Sequence, residues 1–459
     1  MFLTIPMLIL AKLKQIILLL GDLFLLFASL YITLYLRFSQ AYINANWQLH
    51  FYPFVIIYLI WVAVFYSQNL YNLNFLKNNL VLFRTLLESF AINVFIASFF
   101  FYLTPIFGIA PKTTLFMDAA IAAFLIIIWR AAYNLITAKY IFKTRIAFLG
   151  YSKEVRELIT AFKNEPQLGY EVVCVVADEK IPDLDIKQPA MEEMIQNAKA
   201  LGVNTIAVHH GKNIDETANA KLYQLIFSNI TFINLLKLYE QVTGKLPIEN
   251  LTQGWFLDNL QEAEKKIYDR GKIATDYILA GILGVVFVAI FPIVAIGELA
   301  SDGWPIFYTQ KRVGKNGRIF KIYKFRTMVK NAEAGAPQFA GENDSRITRF
   351  GKFLRRTRID ELPQILNVLL GEMSFIGPRP ERPEFVAEFT EKAPFYPLRN
   401  LVQPGLTGWA QINYPYAGNA EQNLKKLQYD IFYIKNRSFL LDATIILKTI
   451  NTILRFRGR

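Results

Sequence analysis

The chain contains 459 residues, of which 53% are hydrophobic, 15% aromatic and only 19% charged. These proportions exclude an intrinsically disordered or collagen-like chain and are untypical of an ordinary soluble enzyme. A single cysteine and three histidines exclude a disulfide framework and a cysteine-rich zinc site. The formal net charge is +13, and residues 300–459 alone hold 26 Lys and Arg against 14 Asp and Glu. Such a basic segment favours anionic partners: a membrane surface, nucleic acid or a phosphorylated substrate.

Four long apolar runs occupy the first 140 residues: Leu13–Leu36, Leu49–Tyr71, Leu86–Ile106 and Leu115–Ala138. Each run is long enough to cross the ~30 Å hydrocarbon core of a bilayer as a helix. No small-residue cleavage site follows the first run, which argues against a removed signal peptide. The sequence therefore predicts a bundle of four transmembrane helices over residues 1–140.

The basic residues near the ends of these runs predict the orientation of the bundle. The N-terminal end, the second loop and the exit are basic, through Lys12, Lys14, Lys77, Arg84, Lys139, Lys143 and Arg145. The two alternate loops contain only Arg37 and Lys112. Because basic loops stay in the cytoplasm, the N-terminus and the exit of the fourth helix are both predicted to be cytoplasmic.

Four ionisable side chains lie within the apolar runs or at their edges: Asp22, Glu88, Asp118 and Arg130. Charges inside a membrane segment either mark the path of a substrate or pair with one another between helices. We favour pairing between helices, or a position near the membrane interface, for these four residues.

An alternation of strands and helices follows the bundle. Short apolar strands are predicted at Arg145–Gly150, Tyr170–Ala177 and Thr205–His209, with a helix over Lys153–Asn164. This order is typical of a parallel sheet, and residues 141–242 are predicted to form a Rossmann-like α/β module. The first turn contains a single glycine and lacks Gly-x-Gly-x-x-Gly, so a structural or regulatory role is favoured over dinucleotide binding.

A linker with short helices is predicted over residues 243–269, because glycine and proline recur in this segment and interrupt regular secondary structure. It leads to a fifth apolar run, Tyr277–Gly297, which contains Pro292. The run is long enough to span a membrane, but a fifth crossing would place the basic C-terminal segment outside the cell. A helix over residues 276–297 that enters one leaflet, bends at Pro292 and returns keeps both ends cytoplasmic. The sequence permits this re-entrant course and leaves a spanning helix as the alternative.

Three motif-rich blocks lie beyond this run, and the first is a basic strand–turn–strand at residues 308–328. Four of its cationic side chains are candidates for substrate or phosphate binding: Lys311, Arg312, Lys324 and Arg326. Glycine-containing turns beside Lys and Arg bind phosphate through open backbone N–H groups and full positive charges. The alternative is a solvated basic hairpin that faces anionic lipid headgroups.

The second block is a run of six cationic residues within 346–358, followed by the adjacent acids Asp360 and Glu361. Its basic and aromatic residues predict an amphipathic helix at the membrane interface, with Arg355 as a candidate phosphate ligand. The positive field is expected to lower the pKa of both acids and keep them ionised. Ionised carboxylates are ligands for Mg²⁺, and a carboxylate is also able to attack phosphorus. The alternative is a salt-bridged pair at a helix N-terminus that contains Pro363.

The third block combines two rigid loops. Pro-Arg-Pro at residues 378–380 holds an extended loop that presents Arg379, a side chain suited to bidentate phosphate binding, and Arg382 follows it. A later glycine-rich turn contains Gly405 and Thr407 and is expected to bring its backbone close to a partner group. Ordinary turn chemistry is the alternative for both loops.

Taken together, these blocks resemble the bacterial sugar transferase family, the monotopic phosphoglycosyl transferases. The similarity rests on four motifs in the family's order and spacing: Lys-Phe-Arg-Thr-Met (324–328), Arg-Arg-Thr-x-x-Asp-Glu-Leu-Pro-Gln (355–364), Gly-Pro-Arg-Pro (377–380) and Pro-Gly-Leu-Thr-Gly-x-Ala-Gln (404–411). It covers residues 270–459, and the preceding segments resemble those of the large members. Two positions depart from the family pattern: Phe291 stands where members often have Ser, and Arg358 where an uncharged residue is typical.

The resemblance implies a three-part fold. A membrane α-helical bundle and a Rossmann-like α/β module precede a mainly α-helical monotopic phosphoglycosyl transferase domain over residues 270–459, with a re-entrant helix at residues 276–297. The chain is then a multi-pass protein of the bacterial inner (cytoplasmic) membrane, and its catalytic domain faces the cytoplasm.

The resemblance also implies a reaction. A sugar 1-phosphate passes from a UDP-sugar to undecaprenyl phosphate in the lipid bilayer, with release of UMP, as the first step of exopolysaccharide, capsule or O-antigen synthesis. Asp360 is implied to attack the β-phosphate and form a covalent aspartyl–phosphosugar intermediate. Glu361 is implied to assist with a proton or, together with Asp360, with Mg²⁺, and Arg379 to clamp phosphate. No nucleic-acid-binding module is recognisable. The sequence leaves open whether the chain forms a homo-oligomer.

Two other functions share parts of this architecture. A membrane-anchored nucleotide-sugar dehydratase would need a Gly-x-x-Gly-x-x-Gly turn and Tyr-x-x-x-Lys, and neither motif occurs after residue 300. A non-enzymatic scaffold that binds anionic lipid or polysaccharide would account for the basic residues but not for the acidic pair Asp360 and Glu361 within its motif. The transferase is therefore the favoured function.

Overall fold

The computed structural model describes most of the chain. The described residues are 7–71, 80–103, 112–140, 144–177, 179–182, 184–208, 216–228, 230–248, 251–260, 265–330, 332, 344–414 and 419–454. The chain divides into two compact units, Met1–Leu238 and Tyr239–Arg459. The first unit holds the helix bundle and a parallel sheet, whereas the second holds a long apolar helix and all three motif-rich blocks.

Four long helices form the N-terminal bundle: α1 (Met7–Arg37), α2 (Gln40–Ser67), α3 (Leu80–Leu103) and α4 (Lys112–Tyr140). All four contain stretches long and apolar enough to cross a membrane, which confirms the four predicted runs. Aromatic and aliphatic side chains such as Trp61 fill the interior of the bundle. Lys77 and Lys143, which contribute to the predicted orientation, lie outside the described residues.

The ionisable residues of the bundle interior pair between helices, as expected. Asp22 of α1 and Arg130 of α4 form an ion pair in which both side chains are fully buried. Asp118 of α4 accepts hydrogen bonds from the hydroxyl groups of Ser29 and Tyr58, at 2.6 and 2.9 Å. Buried polar groups in a membrane bundle are stabilised by such partners, so these residues hold α1, α2 and α4 together.

A four-stranded parallel sheet follows the bundle, with strands β1 (Thr144–Leu149), β2 (Tyr170–Val176), β3 (Thr205–Val208) and β4 (Thr231–Asn234) in the order β2-β1-β3-β4. Its helices are α5 (Lys153–Asn164), α6 (Met191–Asn197), α7 (Glu216–Leu225) and α8 (Leu235–Thr243). The three predicted strands and helix α5 are confirmed, and His209 lies outside the described residues. Sequence analysis missed β4 because four residues are too few to show a period. The Rossmann-like class stays a prediction.

The second unit is mainly helical, as predicted. Its helices are α9 (Gln253–Asn259), α10 (Lys266–Asp302), α11 (Arg349–Thr357), α12 (Ile365–Leu369), α13 (Pro383–Lys392), α14 (Trp409–Asn413), α15 (Ala420–Asn436) and α16 (Phe439–Leu454). Strands β5 (Phe307–Val313) and β6 (Ile319–Phe325) form an antiparallel hairpin, and β7 (Ser374–Ile376) pairs in parallel with β8 (Gly405–Thr407). The two strand pairs carry parts of the first and third blocks.

The segment predicted as a linker, residues 243–269, belongs to the second unit, and its described parts contact other elements of that unit. The indole N–H of Trp409 donates to the carbonyl group of Gly244 at 2.7 Å. The ammonium group of Lys265 donates to two carbonyl groups at the C-terminal end of α15, at 2.6 Å each. The boundaries of the predicted domains stay predictions.

Helix α10 is a fifth element long and apolar enough to cross a membrane. It continues as one helix through Pro292, so this residue does not end the element, although a proline removes one N–H donor from it. Apolar side chains along the helix are exposed, as at Val288, which is 70% exposed. Toward its C-terminal end, Val294 packs in one cluster with Phe325 of β6 and Leu354 of α11. The re-entrant course of this helix stays a prediction.

Candidate active site

Asp360 and Glu361 lie in a short 3₁₀ helix, Ile359–Gln364, that follows α11 directly. Helix α11 ends at Thr357, and the residue that caps it, Arg358, has a left-handed backbone with φ of 59°. A residue with a Cβ atom adopts this conformation at a cost of about 1–2 kcal/mol. The reversal at Arg358 begins the new helix, in which Asp360 and Glu361 are only 7% and 9% exposed.

The carboxylate of Glu361 is surrounded by three cationic side chains from three parts of the chain. Its Oε1 accepts hydrogen bonds from Lys324 Nζ at 3.0 Å and from Arg379 NH2 at 2.8 Å. Its Oε2 accepts from Arg358 NH1 at 3.3 Å. Burial alone would raise the pKa of Glu361, but these positive charges hold it well below its usual range. Glu361 is therefore an ionised anchor that gathers the three cations.

Asp360 has the opposite electrostatic environment. Burial and the adjacent negative charge of Glu361 raise the pKa of Asp360 to about 6, although Lys324, Arg355 and Arg358 act in the opposite direction. The sequence-based expectation that the positive field lowers both pKa values is thus right for Glu361 and wrong for Asp360. Within the described part of the chain, the buried Oδ1 of Asp360 has no hydrogen-bond partner. At neutral pH this carboxylate is largely ionised, and its Oδ1 is a buried acceptor whose hydrogen-bonding capacity is not used by the described residues.

Glycines bring the loop that carries Arg379 against the later glycine-rich turn. A Cβ atom at Gly405 would lie 2.1 Å from the backbone nitrogen of Gly377, so no larger residue fits there. Gly405 donates its N–H to the carbonyl group of Pro378 at 2.9 Å, and Gly377 donates to that of Thr407 at 2.9 Å. The close partner expected for this turn is therefore the Arg379 loop itself.

Two further guanidinium groups hold the backbone of the Arg379 loop. Arg399 donates to the carbonyl group of Arg379 at 2.9 Å and also pairs with Asp430 at 2.9 Å. Arg312 donates to the carbonyl group of Pro380 at 3.0 Å. Sequence analysis missed Arg399 and Asp430, because each is a single charged residue without a local motif. Arg312, predicted to bind substrate, has an intramolecular role in positioning the loop.

The remaining predicted ligands have other surroundings. Arg326 is buried and donates to the carbonyl group of Gly303, just beyond the end of α10. Arg355 Nε donates to Thr327 Oγ1 at 2.8 Å, and its charge acts on Asp360. Three other predicted ligands have contacts that do not involve Glu361. Lys311 is exposed on the hairpin, and Arg382 Nε lies 3.5 Å from Glu384 Oε2. The hydroxyl group of Thr407 shares a 2.7 Å hydrogen bond with that of Thr449. The structure thus gathers Lys324, Arg355 and Arg379 around the acidic pair.

A metal ion would find few protein ligands at this site. No group of three or more His, Cys, Asp or Glu side chains that could hold a metal occurs among the described residues. Both oxygens of Glu361 already accept hydrogen bonds from cationic groups, whereas Oδ1 of Asp360 has no such partner among the residues that the structure describes. This arrangement fits Mg²⁺, which is commonly bound by one or two carboxylates, substrate phosphates and water.

The charge balance of the site favours a multiply charged anion. Four cationic side chains act on the two carboxylates: Lys324, Arg355, Arg358 and Arg379. Two of them keep solvent access, because the side chains of Arg358 and Arg379 are 36% and 33% exposed. The arrangement is able to bind a diphosphate and to present a carboxylate oxygen to one of its phosphorus atoms.

Comparison with known proteins agrees with this chemistry. A family model described as bacterial sugar transferase matches residues 267–456. The chain is 40% identical over 233 residues to the UDP-N-acetylgalactosamine-undecaprenyl-phosphate N-acetylgalactosaminephosphotransferase of Aeromonas hydrophila, covering 51% of this chain and 54% of that protein. It is 38% identical over 236 residues to the UDP-glucose:undecaprenyl-phosphate glucose-1-phosphate transferase of Xanthomonas campestris pv. campestris, covering 50% and 46%.

A shorter relative is matched almost completely. The chain is 33% identical over 229 residues to the exopolysaccharide production protein ExoY of Sinorhizobium fredii, covering 47% of this chain and 99% of that protein. The chain spans about half the length of the first two relatives. The motifs, the matching family model and the complete coverage of this shorter relative show that the chain belongs to the bacterial sugar transferase family.

Proposed function

We propose that this protein transfers a sugar 1-phosphate from a UDP-sugar to undecaprenyl phosphate and releases UMP. The observation that carries the proposal is the buried, unpartnered Oδ1 of Asp360 beside a carboxylate that gathers three cations. The names of the first two relatives support the substrate classes, since both contain a UDP-sugar and undecaprenyl phosphate. The product, a sugar on undecaprenyl diphosphate, would begin an exopolysaccharide, capsule or O-antigen.

In the first step, a carboxylate oxygen of Asp360 attacks the β-phosphorus of the donor. A phosphorus–oxygen bond forms to Asp360, the bond from that phosphorus to the bridging oxygen breaks, and UMP leaves with the electron pair. Negative charge grows on the transferring and leaving phosphates, where Arg379 and Lys324 stabilise it electrostatically. Because Glu361 holds both of these cations by hydrogen bonds, it would position them without touching the substrate.

In the second step, a phosphate oxygen of undecaprenyl phosphate attacks the same phosphorus and displaces the carboxylate of Asp360. This step regenerates the free enzyme, so atoms and charges balance over the two half-reactions. A covalent intermediate of this kind gives ping-pong kinetics. Donor and acceptor would therefore use the same carboxylate in turn.

Mg²⁺ is proposed as the cofactor. Asp360 would hold the ion together with oxygens of the donor diphosphate, and Glu361 would contribute through its charge while its oxygens stay with the cations. When bound, Mg²⁺ screens the negative charge of the diphosphate.

The proposed location is the inner membrane, with the site facing the cytoplasm. The basic loops of the bundle and the excess of Lys and Arg over residues 300–459 support this orientation. For α10 we propose the re-entrant course, because it keeps both ends of this apolar helix on the cytoplasmic side of the membrane. A spanning α10 would move the basic segment across the membrane, against the positive-inside preference.

The test uses the full chain in lipid nanodiscs with Mg²⁺, undecaprenyl phosphate and a panel of UDP-sugars that includes glucose, galactose and N-acetylgalactosamine. UMP release is followed for the wild type, for Asp360→Asn and for Asp258→Asn, which removes an exposed acid of the same unit. We expect UMP from one donor, a loss of at least about a thousandfold in Asp360→Asn and no change in Asp258→Asn.

A radiolabelled donor without acceptor adds a direct test of the intermediate. The wild type should retain the sugar label covalently, and Asp360→Asn should not. UMP release that survives Asp360→Asn would contradict the aspartyl mechanism. No UMP from any donor would contradict the proposed reaction and favour the non-catalytic scaffold.

A further inference from the structure

Lys426 is a cation near the site that sequence analysis did not single out. It lies on α15, one helical turn before Asp430, and its side chain is mostly buried. Among the described residues, its ammonium group has no hydrogen-bond or ion-pair partner within bonding distance. Lys426 is only partly exposed, and its ammonium group is not among the fully buried unpartnered atoms, so an anion is able to reach this positive charge and would be stabilised by it.

The acids near Lys426 already have other partners. The largest charges that act on it are those of Glu381, Arg379, Asp430 and Arg399. Asp430 is paired with Arg399 at 2.9 Å, and the carboxylate of Glu381 lies 3.5 Å from Arg312. Both of these acids therefore have a guanidinium partner, and neither forms an ion pair with Lys426 in the described part of the chain.

Arg399 links Lys426 to the Arg379 loop in space, since it pairs with Asp430, one turn after Lys426 on α15, and donates to the carbonyl group of Arg379, both at 2.9 Å. Arg379 donates to Glu361 at 2.8 Å, and its positive charge repels that of Lys426. Burial lowers the pKa of Lys426 to about 8, so the side chain is still largely charged at neutral pH. Lys426 and Arg379 are two neighbouring cations, and Lys426 has no hydrogen-bond partner among the described residues. Such a pair is suited to binding a phosphate group.

We propose that Lys426 and Arg379 together bind the phosphate of the nucleotide part of the donor, the phosphate that leaves as UMP. This inference rests on the proposed function, in which Asp360 attacks the other phosphate of the same diphosphate. Lys426 would neutralise charge on the leaving group, as cationic clamps do in phosphoryl transfer.

The test compares Lys426→Gln with Lys425→Gln, which removes a neighbouring charge from the exposed pair of Lys425 with Glu421 on the same helix. Equilibrium binding of UDP to the full chain in nanodiscs is measured together with UMP release and the KM of undecaprenyl phosphate. We expect the Kd for UDP to rise about tenfold or more in Lys426→Gln and to stay unchanged in Lys425→Gln. Lys426→Arg should keep most of the UDP affinity, which separates loss of charge from loss of folding.

The outcomes decide between the inference and the proposed function. Equal UDP affinity in the two glutamine variants would overturn the inference, even if the wild type released UMP. A rise only in the KM of undecaprenyl phosphate would also overturn it, since the phosphate bound would then be that of the acceptor. Weaker UDP binding in Lys426→Gln, in a protein whose wild type releases no UMP, would support the phosphate site and contradict the proposed reaction.

Discussion

Both units contain buried acidic residues, but the number and exposure of the cations around these residues differ. In the membrane bundle, Asp22 faces one cation, Arg130, and both side chains are fully buried. In the second unit, Asp360 and Glu361 have four cations around them, and Arg379 and Arg358 are about one-third exposed. The first arrangement is matched in charge and sealed, whereas the second has excess positive charge and access to solvent.

This difference separates a structural ion pair from a binding site. A sealed pair gains nothing from a ligand, because each charge already has its counterpart and no substrate can reach it. Because Asp22 and Asp360 each have a buried oxygen without a partner among the described residues, the difference lies in the excess cations with solvent access, which are stabilised when an anion binds. Burial of acids alone does not indicate function, but burial with unbalanced and accessible charge does.

The largest expected effect is on the stability of the bundle. Arg130→Leu leaves Asp22 buried without its partner and should lower the free energy of unfolding by about 3–5 kcal/mol. Thermal unfolding in nanodiscs measures the effect, and UMP release per folded molecule should not change. Arg84→Leu, which breaks the exposed pair with Glu88, is the matched control and should change stability little. A wild-type stability for Arg130→Leu would contradict the structural role of the pair.

The next effect is on catalysis and leaves stability nearly unchanged. Arg379→Ala removes a cation that holds Glu361 and faces solvent, so kcat/KM for UMP release should fall by about 10²–10³-fold. Arg318→Ala, at an exposed position of the hairpin turn, removes the same charge away from the acidic pair and should have little effect. Equal losses in the two variants would mean that general positive charge, rather than this position, attracts the substrate.

The smallest effect is a displacement of the pH profile. Only ionised Asp360 is a nucleophile, so kcat/KM should fall as the pH drops through about 6, the raised pKa of this residue. Arg355→Gln removes a charge that lowers this pKa, and the acidic limb should therefore move to higher pH. Glu361→Gln removes a charge that raises it, and the limb of the residual activity should move to lower pH. Shifts in the same direction for both variants would contradict the assignment of the limb to Asp360.

Local sequence predicted the parts of the protein that depend on runs and periods. The length of the apolar runs identified four membrane helices, and helix α5 occupies the predicted residues 153–164. The acidic pair in a basic block also pointed to the site, because unusual charge composition is visible without a fold. Such features can be read from residues that are close in sequence, because helices and strands place side chains on a given face at fixed spacings.

Tertiary structure decided which charges meet. The pKa of Glu361 is low because Lys324 and Arg379, 37 and 18 residues away, donate hydrogen bonds to it, whereas burial and the charge of Glu361 raise the pKa of Asp360. The same long-range packing brings Arg312 to the backbone of the Arg379 loop and leaves Lys426 without an ion-pair partner among the described residues. Electrostatic interactions depend on distance in space and on burial, and neither quantity is contained in the spacing of residues along the chain.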